Sequence, residues 1–384
     1  MQKIFRLGEI MQSVIGNSIK LSLFGESHGS MIGVVIDGLA PGIKLDTKFI
    51  QEQLDKRKPK GKISTQRHEE DDFKIVSGYF NGYTTGTPLC IMIENKAQKS
   101  RDYEKTRDLM RPSHADYTAE KKYLGYQDFR GGGHFSGRIT APLVAVGAIC
   151  IQILKEKGVV LGTHILKCKD ERDRNFSLDG EELKREIEIV NNRYFPVFDD
   201  EKEESMKRVI EEAGKNLNSV GGILETAVIG VPSGIGEPYF NSIESILSHL
   251  LFSIPAVKGV EFGAGFSITD MLGSEANDSF YYNEGGEVKT KSNNNGGING
   301  GISNGMPIII KTAIKPTPSI YKEQESIDIS KHENIKFNIE GRHDPAIIHR
   351  ARVVVDSVVA FGILDLLCMR YGYMFMRKEE VDEN

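Results

Sequence analysis

Two long apolar runs dominate the hydrophobic pattern of this chain, at residues 141–154 and 353–368. Both are short for a membrane span, and the second contains Asp356 and Asp365, so each is predicted to be a buried helix. Shorter apolar runs have the length of strands. Strands are predicted at residues 21–24, 31–36, 73–80, 88–94, 223–231 and 307–314, and further helices at residues 47–57, 201–216 and 242–252.

Internal similarity groups these elements into two halves. The segment VVIDGLAPGI at Val34 resembles AVIGVPSGIG at Ala227, and GTPLCIMIENK at Gly86 resembles GMPIIIKTAIK at Gly305. A Gly-Arg pair also precedes both apolar helices, at residues 137 and 341, and all three pairs keep their order. We predict an α+β fold, a sheet–helix–sheet (β-α-β) sandwich with two pseudo-symmetric halves and a central helical layer. Coincidental resemblance of short apolar runs is the alternative.

Charge and hydropathy also predict the domain boundaries. Residues 11–375 are expected to form a single domain, with a surface excursion at about residues 169–218, where charged residues dominate. Residues 1–10 are an N-terminal extension that we expect to be disordered, and residues 376–384 are a charged C-terminal tail. No apolar segment typical of a signal peptide follows the first basic residues.

Composition argues against several classes of function. The chain has 384 residues and a formal net charge of −5, which argues against a general nucleic-acid-binding protein. Its four cysteines, Cys90, Cys150, Cys168 and Cys368, are widely spaced and indicate neither a zinc site nor a disulfide framework. We therefore expect a reducing, cytoplasmic compartment.

A glycine-rich segment, GGGHFSGRIT at residues 131–140, is the first candidate for chemistry. If a helix begins near Pro142 with Thr140 as N-cap, its free N–H groups face the loop that carries Ser136 and Arg138. That arrangement is typical of a phosphate cradle. A glycine-rich turn before a core helix is the alternative reading.

Other candidates lie in polar loops. His28 sits in GESHG between two predicted strands, and His114 follows Pro112, which forbids a continuous helix there. A basic segment at residues 56–67 contains Arg57, Lys62 and Arg67 and is followed by four acidic residues. It is either a solvated charged loop or a flap whose cations bind a phosphorylated or carboxylated substrate.

Seven blocks, in order along nearly the whole chain, together resemble chorismate synthase. They are FGESHG at Phe24, RPSHADYT at Arg111, the GGG-x-x-S-x-R pattern at Gly131, AVKGVEFG at Ala256, GGIS-x-G at Gly300, KPTPSI at Lys315 and GRHDP at Gly341. The resemblance implies conversion of 5-enolpyruvylshikimate 3-phosphate to chorismate with reduced FMN and no net redox change. It also implies a homotetramer of β-α-β sandwich subunits, with residues 11–375 as the catalytic domain.

The resemblance implies roles for individual residues. His28 would protonate the departing phosphate, His114 would lend a proton to reduced flavin, and Asp344 would assist removal of the ring proton. The substrate would be held by Ser27, Arg57, Lys62, Arg67, Ser136, Arg138 and Arg342. FMN would contact His134, Phe135, Ser136, Pro255, Ala256, Gly300, Lys315, Pro316, Thr317, Pro318, Ser319 and Arg342. No metal is implied.

The chain departs from the family pattern at three flavin positions. It has His134 where the family usually has arginine, Phe135 where a small or polar residue is usual, and Pro255 where asparagine is usual. A non-catalytic flavin-binding protein is therefore one alternative. A metal-dependent phosphohydrolase that uses the His and carboxylate pairs is another. Whether NADPH or an external flavin reductase reduces the flavin stays open, because no GxGxxG element joins a clear strand to a helix.

Overall fold

The structure is a computed structural model that describes residues 13–61, 63–64, 70–96, 107–339 and 343–378. Its strands are β1 (Val14–Ile15), β2 (Lys20–Gly25), β3 (Met31–Asp37), β4 (Phe73–Ser77), β5 (Tyr79–Phe80), β6 (Tyr83–Thr84), β7 (Leu89–Glu94), β8 (Val160–Cys168), β9 (Glu171–Arg172), β10 (Gly222–Ile229), β11 (Val257–Phe262), β12 (Phe280–Tyr282), β13 (Val288–Thr290), β14 (Ile298–Asn299), β15 (Ile302–Ser303), β16 (Ile308–Ile314), β17 (Gln324–Asp328) and β18 (Glu333–Phe337). Its α-helices are α1 (Thr47–Lys56), α2 (Asp116–Tyr123), α3 (Thr140–Glu156), α4 (Gly180–Asn192), α5 (Asp200–Lys215), α6 (Ile243–Ser253), α7 (Gly273–Ala276) and α8 (Ile348–Tyr371).

Two antiparallel five-stranded sheets form the outer layers of the core. The first has the order β1-β2-β3-β7-β4 and the second the order β9-β8-β10-β16-β11. The last four strands of the two orders therefore follow the same path, since β2, β3, β7 and β4 correspond to β8, β10, β16 and β11. The similar segments of the sequence fall on β3 and β10 and on β7 and β16, so the prediction of two pseudo-symmetric halves is confirmed.

The central layer consists of the two predicted apolar helices. Helix α3 packs on β3 and β7 of the first sheet, α8 packs on β8 and β10 of the second, and the two helices pack on each other. They approach closely at Gly147, where a Cβ atom would lie only 2.1 Å from Cβ of Ser357. The predicted sheet–helix–sheet sandwich is therefore confirmed. The close contact between Gly147 and Ser357 determines how near the two central helices lie.

The segment Gly137–Glu156 is long and apolar enough to cross a membrane by length and composition, but 78% of its apolar 18-residue window is buried inside the protein. Burial between a sheet and a second helix explains this composition, because a helix that is apolar all round has to be covered on every side. The prediction that both apolar runs are buried helices is confirmed.

Residues 169–218 cover the outside of the second sheet. Helix α4 packs on β8 and β10 through the buried side chains of Leu183, Ile187 and Val190. Helix α5 buries Met206 and Ile210 and exposes most of its charged residues. The second half thus has an outer helical layer, and its charged face is the solvent side of amphipathic helices.

Candidate active site

The glycine turn at residues 131–133 holds the first predicted histidine. Gly131 and Gly133 have φ values of 67° and 53°, which glycine adopts without strain. A Cβ atom on Gly131 would lie 2.4 Å from Cε1 of His28, so the turn can pack against this ring only because it has no side chain there. Ser27 donates its backbone N–H to the carbonyl of Gly133 at 3.1 Å, and its Oγ lies 3.1 Å from Nδ1 of His28. These contacts fix the ring of a histidine that is only 5% exposed.

His114 lies in a second polar loop, just before α2. Its Nδ1–H donates to Oδ1 of Asp116 at 2.7 Å, so Nε2 is directed away from this carboxylate. Arg111 donates to both oxygens of Asp116, at 2.7 and 2.6 Å, and to the carbonyl of Gly131 at 2.7 Å. Burial alone would raise the pKa of Asp116, but hydrogen bonds from Arg111 and His114 hold it well below its ordinary value. Arg111 therefore connects the His114 loop to the turn beside His28.

Loops of the second half meet the His114 loop. Lys315 donates from Nζ to the carbonyl of Ser113 at 2.7 Å, and its backbone N–H donates to the carbonyl of Ala256 at 2.9 Å. Burial lowers the pKa of Lys315. The ammonium group is therefore partly desolvated at a junction between the two halves, where it would interact strongly with an anionic ligand.

The loop that carries Asp344 approaches the same place. Arg350, in the first turn of α8, donates a hydrogen bond to Oδ2 of Asp344. The neighbouring ring of His343 packs against Tyr321, with ring centroids 4.9 Å apart. Burial lowers the pKa of His343, and the charge of Arg111 lowers it further. The Asp344 loop therefore lies within electrostatic range of Arg111, which contacts the His114 loop directly.

Two of the predicted anion ligands lie side by side. Arg57 ends α1, and Arg138 lies in the 3-10 turn Gly137–Ile139 that leads into α3. Nη1 of Arg57 donates to Oδ2 of Asp71 at 2.9 Å, and Nη1 of Arg138 donates to Oδ1 of the same carboxylate. One buried aspartate therefore joins two guanidinium groups that come from different elements.

The N-terminus of α3 differs from the prediction. The helix begins at Thr140, and the preceding 3-10 turn is capped by Ser136, whose Oγ accepts the N–H of Arg138 at 3.2 Å. The hydroxyl of Thr140 donates to the carbonyl of Gly137 at 2.6 Å and accepts Nε of Arg57 at 3.2 Å. The predicted Thr140 cap is therefore wrong, because this hydroxyl bonds back to the turn and to an arginine. Ser136 also takes one of the N–H groups that the predicted phosphate cradle would have offered.

Comparison with known proteins decides the family. A family model described as chorismate synthase matches residues 19–368. The chain is 44% identical to chorismate synthase of Pyrococcus abyssi over 355 residues, which cover 92% of this chain and 97% of the relative. It is also 44% identical to chorismate synthase of Lachnoclostridium phytofermentans, covering 92% and 95% of the two chains. A crystal structure of chorismate synthase superimposes with a TM-score of 0.73 at 28% identity and covers 93% of this chain and 94% of its own.

The chain belongs to the chorismate synthase family. Among the predicted flavin positions, His134 donates from Nδ1–H to the carbonyl of Gly25 at 2.8 Å. Its ring lines a cavity of about 220 Å³ between β2, α3, α6 and α8. Phe135 is 39% exposed and packs edge-on against Tyr123. Pro255 is exposed beside Ala256, which has a positive φ of 77°.

The remaining flavin positions lie on the second half. Gly300 is exposed in the turn between β14 and β15, and apart from its chain neighbours no described atom lies within 4 Å of the place a Cβ would take. Residues 315–319 are anchored by Ser219, whose Oγ donates to the carbonyl of Thr317 at 2.7 Å. The hydroxyl of Thr317 is buried without a hydrogen-bond partner among the described residues. Lys62, Arg67 and Arg342 lie outside the described residues.

Sequence reasoning missed the residues that orient the candidate site. Arg111 stood inside a recognised motif without a role, and Asp116 was considered only as a metal ligand paired with His114, although their spacing around His114 could have indicated an Arg–Asp–His arrangement. Asp71 lay in an acidic run that is typical of a solvated loop, and Arg350 belongs to a predicted core helix. Within the described ranges, no group of three or more His, Cys, Asp or Glu side chains is arranged to hold a metal ion.

Proposed function

We propose that this chain converts 5-enolpyruvylshikimate 3-phosphate to chorismate with reduced FMN as cofactor. It is a carbon–oxygen lyase of the shikimate pathway for aromatic amino acid biosynthesis. The reaction breaks the bond between a ring carbon and the phosphate oxygen and removes a ring proton, without net redox change. The contacts of Arg111 with the His114 loop and with the turn beside His28 support this assignment most strongly, because they bring two histidines that can exchange protons to one place.

His28 would act as the proton donor to the departing phosphate. Its ring is held by Ser27 at Nδ1 and backed by Gly131, so the proton for the phosphate would be carried on Nε2. Burial excludes water from most of the ring, which strengthens its interaction with a charged leaving group. A positioned proton donor of this kind contributes about 10²–10⁴-fold to the rate.

His114 and Asp344 would act on the cofactor side. His114 would hold a proton at Nε2, because its Nδ1–H is already donated to Asp116. Asp344, oriented by Arg350, would assist removal of the ring proton. Reduced FMN, when bound, would supply electron density that assists the loss of phosphate. These roles divide the proton transfers between the two halves of the molecule.

The residues present fit FMN. The buried hydroxyl of Thr317 has no partner among the described residues, and the partly desolvated ammonium of Lys315 lies close to it in the chain. A ligand rich in hydrogen-bonding groups would satisfy both. The flavin would be held by His134, Phe135, Ser136, Pro255, Ala256, Gly300, Lys315, Pro316, Thr317, Pro318, Ser319 and Arg342.

The substrate would be held through its phosphate and carboxylates. The paired guanidinium groups of Arg57 and Arg138 support an anion site, because arginine binds such groups bidentately. Ser27 and Ser136 lie next to the His28 and Arg138 elements and would add hydroxyl donors. Lys62, Arg67 and Arg342 complete the proposed set.

We further propose a homotetramer in the cytoplasm. Large apolar side chains of the second half are strongly exposed, which is typical of an interface between subunits: Tyr239 84%, Phe240 90%, Phe266 77%, Leu272 69% and Tyr282 77%. All four cysteines are free thiols, which fits a reducing compartment. Reduction of FMN would come from NADPH, either on this protein or through an external flavin reductase.

Anaerobic turnover tests the proposal. The purified protein is mixed with 5-enolpyruvylshikimate 3-phosphate and dithionite-reduced FMN, and chorismate is followed by its absorbance. We expect chorismate to form only with reduced flavin, and its formation to be unaffected by EDTA. A folded protein that binds FMN but forms no chorismate would favour a non-catalytic flavin-binding protein, and activity lost to EDTA would favour a metal-dependent phosphohydrolase.

A further inference from the structure

Asp71 is the most buried member of the cluster that joins the two proposed anion ligands. Its side chain is 1% exposed, whereas those of Arg57 and Arg138 are 12% and 6% exposed. The carboxylate therefore lies behind the guanidinium groups as seen from solvent. In this position it supports the arginines without occupying the place where a substrate anion would approach.

The carboxylate uses one oxygen for each arginine. Oδ2 accepts from Arg57 and Oδ1 accepts from Arg138, so the relative position of the two guanidinium groups depends on one side chain. Two buried cations this close repel each other, and a shared counter-charge offsets that repulsion. Removing the negative charge would remove the counter-charge that the two guanidinium groups share.

Asn95 connects this cluster to the proposed proton donor. Its Oδ1 accepts Nε of Arg138 at 3.0 Å, while its Nδ2 donates to the carbonyls of Glu26 and Gly29 at 3.0 and 2.9 Å. Those two carbonyls flank Ser27 and His28 in the chain. The position of Arg138 is therefore coupled to the loop that presents His28.

We propose that Asp71 is a positioning residue that holds Arg57 and Arg138 in the spacing needed to bind the substrate's anionic groups beside His28. This inference rests on the proposed function, since it takes both arginines to be substrate ligands. Asp71 itself touches no reacting atom. Its effect is on the affinity for the substrate, and affinity for FMN is independent of it.

The test replaces Asp71 with asparagine. Asp71 has a φ of 51°, a conformation that asparagine tolerates well, so the backbone is preserved. Asparagine keeps one acceptor oxygen and turns an NH₂ group toward the second guanidinium, which has to move. We expect Asp71→Asn to lower kcat/KM about 10²-fold, mainly through KM, because a displacement of about 1 Å can cost that much. The Kd for FMN stays unchanged.

Asp72→Asn is the matched control. Asp72 is the next residue and loses the same charge, but its side chain is 65% exposed and pairs with Lys96 at 3.2 Å. We expect its kinetics to match those of the unsubstituted protein. Thr140→Val is a second variant, because it removes one acceptor of Arg57 while keeping the side-chain volume. It should raise KM in the same direction as Asp71→Asn, by about 10-fold, an effect the size of one hydrogen bond to a charged group.

Equilibrium titrations separate this inference from the proposed function. Substrate, inorganic phosphate and FMN are titrated into each variant by calorimetry, with the melting temperature as a check on folding. Chorismate formation by the unsubstituted protein with equal substrate affinity in Asp71→Asn and Asp72→Asn would overturn the positioning role but keep the function. Parallel loss of substrate and FMN affinity, in either Asp71→Asn or Thr140→Val, would also overturn it, as it indicates a general structural role. If no chorismate forms, the positioning role is still supported when phosphate binds more weakly to Asp71→Asn but not to Asp72→Asn. The positioning role is overturned when phosphate does not bind to the unsubstituted protein.

Discussion

The two halves of the molecule share a strand order but contribute different chemistry. The first half supplies His28, His114 and the Arg57–Arg138 pair, whereas the second half supplies Lys315 and Asp344. The matching strands β3, β7, β10 and β16 bury apolar side chains, and the side chains proposed to act in catalysis lie in the loops between elements. The repeated unit is therefore a scaffold, and the loops make the halves unequal.

The core helices differ in the same way. Helix α3 is apolar along almost its whole length, whereas α8 buries Arg352, Asp356 and Asp365. Oδ1 of Asp356 accepts the hydroxyl of Thr163 at 2.6 Å, and Oδ2 receives Nη1 of Arg352 at 3.3 Å. Buried charges are tolerated only when they are paired in this way. Both helices thus bury apolar side chains in the core, and α8 adds directional polar contacts.

The largest expected effect comes from the glycine turn of the first half. Gly131→Ala would place a Cβ atom 2.4 Å from Cε1 of His28, at a φ that alanine disfavours, so the ring has to leave its position. We expect kcat to fall by about 10²–10⁴-fold, as expected for His28→Ala. Steady-state turnover measures this loss.

Gly137→Ala is the control for the glycine turn. A Cβ at Gly137 would meet no described atom within 4 Å, so this variant should keep activity within about twofold. Both variants should retain the melting temperature within a few degrees. Equal loss of activity in the two variants would show that the contact with His28 is not what makes Gly131 necessary.

The next largest effect is expected from the hydrogen bonds that Asp365 of α8 accepts. Asp365 accepts the backbone N–H groups of Asn17, Ser18 and Ile19 at 2.8, 2.7 and 2.8 Å, and so joins the helix of the second half to the first sheet. Asp365→Asn should lower the free energy of unfolding by about 2–3 kcal/mol, because hydrogen bonds to a charged group are lost. Urea denaturation measures this. Asp170→Asn, at an 84% exposed side chain, should change it by less than about 0.5 kcal/mol.

The fold could be predicted because its pattern is local. Hydrophobic periodicity along consecutive residues predicts β3, β7, β10, β16 and the two central helices. The internal sequence similarity then relates the two halves. Proposed site residues in recognisable motifs, such as His28 and His114, could be named in the same way. Their mutual approach around Arg111 required the structure.

Contacts between distant segments could not be predicted. The acidic run before β4 is typical of a solvated surface, and only the fold shows that Asp71 turns inward between Arg57 and Arg138. The cap at Thr140 was predicted wrongly because a 3-10 turn with its own cap, Ser136, precedes the helix. Short-range propensity does not determine which neighbouring hydroxyl takes which N–H group.

A smaller effect is expected where the central helices of the two halves meet. A Cβ on Gly147 would lie 2.1 Å from Cβ and 2.3 Å from Cα of Ser357, so Gly147→Ala forces the backbones of α3 and α8 apart. We expect a loss of about 1–3 kcal/mol in the free energy of unfolding. Gly180→Ala, at the open start of α4, should be neutral or slightly stabilising, because alanine favours helix over glycine. A stabilised Gly147→Ala protein would mean that the halves do not pack this closely.

The smallest effect concerns His349 of α8, in the second half. Its Nε2 is hydrogen-bonded to Oγ of Ser64, in the first half, at 2.8 Å. Burial, with repulsion from Arg350, lowers the pKa of His349 from 6.5 to about 3. Between pH 6.5 and about pH 3, this histidine binds a proton in the unfolded chain but not in the folded protein. The free energy of unfolding is therefore retained above pH 6.5 and falls as the pH drops toward 3. The slope from this group is at most about 1.4 kcal/mol per pH unit. In His349→Gln the stability curve between pH 6 and pH 4 should be flatter, and an unchanged slope would place its origin in the carboxylates instead.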